Sequence, residues 1–268
     1  MEGQGVSEEV EQLLNLFNQK QPLVAMLAPS FPIVFAYPQI IGKLKRTGFS
    51  YMVEVAAGAK RTNEQVIELL KKNPEGRFMT SPCASFMRMV KEKYRHLMRY
   101  LAFTADSPMA ATAKIVREKY PGYRPVFIGP CIVKKLEAKE NYPELNILVL
   151  TYKEMNEVFA KLGINDDPAD AQATFDISCS QTRLYPVSGG LTESSGARDL
   201  LAEDSIEVVS GWQNCQEAIE RFVKNQDIRL LDILFCEGGC INGPGIISSL
   251  STDERRKKII NFWESKKL

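Results

Sequence analysis

The chain has 268 residues, enough to bury a large core as one α/β unit or as two lobes. Its 34 basic and 33 acidic residues leave a net charge of +1, which gives no electrostatic basis for binding nucleic acid or an anionic membrane. With a single histidine, His96, a His-rich metal site or a serine–histidine triad would rest on that residue alone. No apolar stretch is long enough to span a bilayer, and the polar, acidic segment from Met1 to Glu11 has no signal-peptide core. The expected location is therefore the cytoplasm. In that reducing setting six cysteines point to metal binding or catalysis before disulfides.

In chain order, Val10, Leu13, Leu14 and Phe17 recur at helical spacing behind Ser7, which predicts an amphipathic helix to Asn18. Strands and helices then alternate. Strands are expected at 23–28, 51–55, 77–80, 126–128, 147–150, 206–209 and 228–235. Helices are expected at 33–46, 63–72, 85–94, 108–119, 153–162, 213–223 and 253–264. A looser stretch runs from Gly163 to Gly196. The basic run Arg255-Arg256-Lys257-Lys258 reads as a solvated helix face. Alternation of this kind predicts α/β layers with mostly parallel strands.

Four cysteines stand out. Cys83 follows Thr80-Ser81-Pro82, Cys131 follows Gly129-Pro130, and Cys236 and Cys240 bracket Glu237-Gly238-Gly239. Cys83, Cys131 and Cys236 each fall just beyond the C-terminal end of an expected strand, where open α/β sheets bind ligands. Three strand ends can thus aim thiols at one crevice, and Cys240 joins from the Cys236 loop. Structural zinc recruits its cysteines in close pairs. Here one pair is spaced C-x3-C and the other two cysteines stand alone, which favours an iron–sulfur cluster over a zinc ribbon. Gly238, Gly239 and Gly243 let backbone approach a bulky inorganic group, and their N–H groups can bond cluster sulfurs. Cys215 reads as a small apolar helix residue, Cys179 falls in the loose stretch, and His96 decorates a helix end.

These segments, in this order, resemble the three signature segments of the catalytic, C-terminal domain of FeFe-hydrogenases. The matching residues are Thr80-Ser81-Pro82-Cys83, Pro130-Cys131-Ile132-Val133-Lys134, and Cys236 to Gly245. Ala28-Pro29-Ser30 and Ser107-Pro108-Met109 resemble two further family turns. The resemblance implies a two-lobed α/β fold, with mostly parallel sheets flanked by helices and a cluster between the lobes. It divides the chain into an N-terminal helix (1–20), a body (21–250) of two interleaved lobes, approximately 21–135 and 136–250, and a closing helix (251–268).

The resemblance also implies roles. Cys83, Cys131, Cys236 and Cys240 would ligate a 4Fe–4S cluster. Cys240 would bridge to a diiron subsite carrying CO, CN and a bridging dithiolate. Lys134 would donate to one cyanide, and Ser30 with the backbone of Ala28 and Pro29 would hold the other. Ser107 would keep a relay hydroxyl, or cap a helix. The implied reaction is reversible formation of H2 from two protons and two electrons. The implied partners are ferredoxin, or a fused or partner iron–sulfur subunit, together with cofactor maturases.

The departures concern protons. Pro82 stands where the family carries its proton-relaying cysteine, and proline has no titratable proton. Gly129 and Leu234 replace two methionines of the family's diiron pocket, and its relay glutamates would fall near Gln65 and Glu68. These changes resemble the sensory, low-turnover branch. The rival reading is a non-catalytic 4Fe–4S protein for electron transfer, redox sensing or assembly, like the family's assembly-factor relatives.

Overall fold

The computed structural model describes residues 7–102 and 105–265. The first six residues of the expected N-terminal segment, and 266–268 of the closing helix, lie outside the described residues. In chain order the elements are α1 (Glu8–Asn18), β1 (Leu23–Leu27), α2 (Gln39–Thr47), β2 (Tyr51–Glu54), α3 (Val55–Lys72), β3 (Phe78–Met79), α4 (Ala84–Lys93), α5 (Pro108–Lys119), β4 (Arg124–Gly129) and α6 (Val133–Asn141). They continue with β5 (Leu148–Thr151), α7 (Tyr152–Lys161), α8 (Gly190–Ser195), β6 (Ile206–Ser210), α9 (Trp212–Lys224), β7 (Leu230–Leu234) and α10 (Thr252–Glu264).

The strands form two sheets, both parallel. The first has the order β2-β1-β4-β5 and the second β3-β7-β6. Every residue of β1 and of β7 is buried, as expected for strands covered by helices on both faces. α1 and α10 pack into the core of the first sheet through Val10, Leu13, Ile259 and Phe262. Met79, Phe86, Phe222 and Ile233 build a second core around the second sheet.

The two sheets interleave more finely than a division near residue 135. β5 belongs to the first sheet, because Gly129 pairs with Thr151, and β3 to the second, because Met79 pairs with Leu231.

Four helices differ from expectation, one of them α8, which falls within the stretch expected to be loose. The helix expected from Ile33 begins at Gln39: residues 31–33 form a 3-10 turn, and Pro38, which has no N–H, takes the N-cap position. α3 begins eight residues before Asn63, directly after β2. Its early residues Ala56-Ala57-Gly58-Ala59 show no apolar stripe because they serve close helix packing. A Cβ on Gly58 would stand 2.2 Å from Thr112 Oγ1 and 2.4 Å from Pro108 O, both on α5. α6 was not expected; it buries only Lys134 and Ala138, too little to show a periodicity.

One buried ion pair clamps the edge of the first sheet. Arg183 Nε and Nη2 reach the Glu54 carboxylate at 2.6 and 3.0 Å, with both side chains fully buried. The guanidinium also lies 4.1 Å from the Phe262 ring centre on α10.

Candidate metal centre

Each thiol is delivered by a strand end. β4 runs into Pro130 and Cys131, β3 leads through Thr80-Ser81-Pro82 to Cys83, and β7 leads to Cys236. One cysteine thus comes from the first sheet and the others from the second. Thr80 locks its corner by accepting a bond from Ile233 N–H at 3.2 Å. Cys83 is the N-cap of α4, and Phe235 N–H donates to its Sγ at 3.4 Å. A helix N-terminus and a backbone amide both favour a thiolate.

The four thiols converge. Burial raises the Cys83 thiol above its ordinary range, and Cys131 raises it further. Burial pushes Cys236 up to about 12, with Cys83 and Cys131 adding to it. Burial likewise holds Cys240 well above the ordinary thiol range, and its three companions reinforce the effect. Thiols so placed stay protonated until a metal replaces the protons. Among the described residues no three of His, Cys, Asp and Glu are grouped to hold one metal ion. A cubane asks for a different arrangement, with its four thiolates spread over four iron corners.

The glycines of the last loop serve chain approach. Gly239 has φ +105°, and a Cβ there would stand 2.5 Å from Pro186 O. A Cβ on Gly243 would stand 2.7 Å from Pro130 O. The loop is thereby pressed onto both neighbouring corners, which brings Cys240 towards Cys131.

Beyond Cys240 lies a cavity of about 70 Å³, room for roughly five waters. Its wall includes Ala28, Pro29, Ser30, Pro82, Lys134 and Cys240, with Met109, Phe127, Tyr185 and Leu234 as apolar lining. The Gly129 corner is filled by Phe127, whose ring would stand 2.5 Å from a Cβ there. Met109 supplies a thioether to the wall, a contact that the sequence reading missed.

Lys134 is buried. Its ammonium donates to Pro82 O at 3.0 Å and pairs with Glu137, one helical turn further along α6. Burial alone would lower the Lys134 ammonium; the Glu137 carboxylate offsets this and leaves it above its ordinary value. Glu137 faces away from the cavity, into a groove of about 180 Å³ shared with Ser81, Ser107, Glu140 and Tyr142. Ser107 caps α5, accepting from Ala110 N–H at 3.3 Å, and lines this groove. Burial raises the Tyr142 hydroxyl, with Glu137 and Asp106 adding to it, while the Ser107 N–H bonds it.

The remaining candidates separate. Glu68 is exposed and pairs with Lys72 at 2.6 Å, while Gln65 bonds Asp106 beside Ser107. Cys215 is buried on α9, its thiol donating to Leu234 O at 3.6 Å near Cys83 and Cys236. Cys179 N–H donates to Glu54, and His96 is exposed. The sequence reading also missed Glu137 and Tyr152. Glu137 had a weak signal, its i+3 spacing from Lys134; Tyr152 had none.

A family profile described as iron only hydrogenase large subunit, C-terminal domain, matches residues 21–244. A curated relative, the probable cytosolic Fe-S cluster assembly factor oxy-4 of Caenorhabditis elegans, is 21% identical over 269 residues. That alignment covers 81% of this chain and 59% of the relative, so the chain spans well under two thirds of its length. Among solved structures, a variant of the FeFe-hydrogenase HydA1 from Chlamydomonas reinhardtii superposes with a TM-score of 0.70 at 17% identity, covering 97% of this chain and 90% of that one. An apo variant of the same enzyme gives a TM-score of 0.66 at 17% identity, covering 97% and 89%. At this identity the structures show the fold: parallel sheets flanked by helices. No helix among the described residues is long and apolar enough to cross a membrane. The chain belongs to the family defined by the C-terminal domain of the iron-only hydrogenase large subunit.

Proposed function

We propose that this is an FeFe-hydrogenase-type iron–sulfur protein. Cys83, Cys131, Cys236 and Cys240 hold a 4Fe–4S cluster, and the cavity beyond Cys240 receives a diiron subsite with CO, CN and a bridging dithiolate. The reaction is the slow, reversible formation of H2 from two protons and two electrons. The observation that carries the reading is one cavity walled jointly by Cys240, the Ala28-Pro29-Ser30 turn and Lys134. The donor set fits a cubane, because four thiols converge from loops with backbone amides aimed at sulfur. The cavity fits a further unit bonded through Cys240, because its wall is largely apolar and includes the candidate donor residues Ser30 and Lys134.

When bound, the diiron unit supplies the redox chemistry. The chain does the rest. Its largely apolar wall offers few competing polar partners, and the Lys134 ammonium sets a fixed positive charge beside an anionic ligand. Pro82 has no proton to move at the cavity wall, and Ser107 faces the groove instead. Turnover is slow for that reason. Electrons come from ferredoxin or a fused or partner iron–sulfur subunit in the cytoplasm, and maturases deliver the diiron unit. Neither nucleic acid nor membrane insertion has a part.

A second reading is a cubane-only protein for electron transfer, redox sensing or assembly. It is favoured by the internal partners of both candidate donors: Lys134 with Pro82 and Glu137, Ser30 with Tyr152. Infrared spectra of protein matured anaerobically with the diiron cofactor separate the two. CO and CN bands with about six irons per chain support the first reading. About four irons without those bands support the second, and a single zinc ion would overturn both.

A further inference from the structure

The Ala28-Pro29-Ser30 turn is tied to α7 by a side chain that took no part in the sequence reading. Tyr152, the first residue of α7, is fully buried, and its hydroxyl reaches back across the end of β1. It donates to Ala28 O at 2.9 Å and lies 2.8 Å from Ser30 Oγ. A phenol carries one hydrogen. With that hydrogen on Ala28 O, the second bond requires Ser30 as donor and the Tyr152 oxygen as acceptor.

Counting protons therefore orients both hydroxyls. Ser30 is fully buried and belongs to the cavity wall, yet its hydroxyl hydrogen points into the protein. The Ala28 carbonyl is used twice, since Phe31 N–H also donates to it at 3.0 Å. What the turn keeps unspent is the Ser30 backbone N–H, which has no acceptor among the described residues.

We infer that Tyr152 is a positioning residue for the cavity: it takes the Ser30 hydroxyl out of play and leaves the Ser30 backbone N–H as the turn's donor to a small anionic ligand of the cyanide type. This rests on the diiron reading and deepens it. The turn offers such a ligand one rigid amide donor where the side chain would have offered a rotatable hydroxyl.

The test uses the Ser30→Ala, Tyr152→Phe and double variants of the full chain. In matured samples the infrared cyanide bands report the hydrogen bonds to each cyanide. Ser30→Ala is expected to leave those bands in place. Tyr152→Phe frees the Ser30 hydroxyl to turn towards the cavity and is expected to shift one band, a shift that vanishes in the double variant. A band shift in Ser30→Ala alone overturns the inference, and so does an unmoved spectrum in Tyr152→Phe. A second measurement needs no diiron unit. In thermal unfolding of cluster-loaded protein, the two single variants remove the same bond, so their losses are expected to be less than additive. Fully additive losses overturn the pairing. If the wild-type chain shows no CO or CN bands after maturation, the diiron reading itself fails, and the unfolding cycle still decides whether Tyr152 holds Ser30.

Discussion

The cavity and the groove on either side of Lys134 are built from adjacent residues and have opposite chemistry. Ser81 lines the groove and Pro82 the cavity; Ser107 lines the groove and Pro108 the cavity. Lys134 faces the cavity and Glu137 the groove, one helical turn apart on α6. At Ser81-Pro82 and Ser107-Pro108 the hydroxyl-bearing neighbour thus lines the groove and the proline lines the cavity. The comparison shows why Pro82 matters. It lines the largely apolar cavity, next in the chain to Ser81 of the more polar groove, and it carries no proton of its own.

The largest expected effect breaks that separation. Pro82→Cys puts a thiol into the wall, and a positioned acid–base group contributes about 10²–10⁴-fold in rate. Hydrogen evolution by fully matured variant should rise over the wild-type rate by about the lower end of that range at least. An unchanged rate at equal cofactor content would remove Pro82 from the proposed explanation of slow turnover.

The next effect tests the wall itself. Lys134→Met leaves the Glu137 carboxylate buried without its counter-ion, which costs about 3–5 kcal/mol of stability. Glu137 holds the ammonium above its ordinary value against the lowering effect of burial. A cation held up in this way contributes stability that is fully present at neutral pH. That contribution is lost only as pH rises past the ordinary lysine value of 10.5 and through the raised one. Denaturant unfolding of the two proteins should therefore differ at neutral pH and converge in strong alkali. A gap that persists undiminished in strong alkali would assign the stability to another group.

The smallest effect sharpens the groove side. Ser107→Ala removes the N-cap of α5 and should cost about 0.5–2 kcal/mol, with iron content unchanged. Loss of iron in that variant would tie Ser107 to the metal centre after all.

How far the site was legible follows from what each residue does locally. The cysteines announced themselves because each follows an apolar strand and a Gly or Pro corner, features that span a few residues. Lys134 was legible through its register with Cys131. Tyr152 was not: its partners Ala28 and Ser30 lie on a different strand end, and nothing around Tyr152 distinguishes it from an ordinary core tyrosine. Met109 likewise lines the cavity from the start of α5, the helix that Gly58 lets α3 approach closely. In the fold, strands buried on both faces were recoverable as apolar runs. The first turns of α3 were not, because a helix side made of Ala and Gly is selected for closeness and carries no hydrophobic period. The start of α2 was placed too early because Ile33, Ile40, Ile41 and Leu44 mimic one periodic face across Pro38.

The pairing of β3 with β7 has a bearing on how the protein is made. β3 is two residues long, and its sheet partner β7 is the last strand among the described residues. During synthesis the strand before Cys83 therefore has only its Met79–Leu101 bridge until the segment carrying Cys236 and Cys240 has left the ribosome. Closing so long a loop is slow. On the proposed reading, iron delivered earlier would meet Cys83 and Cys131 without Cys236 and Cys240, so cluster insertion would follow synthesis of β7 and its loop.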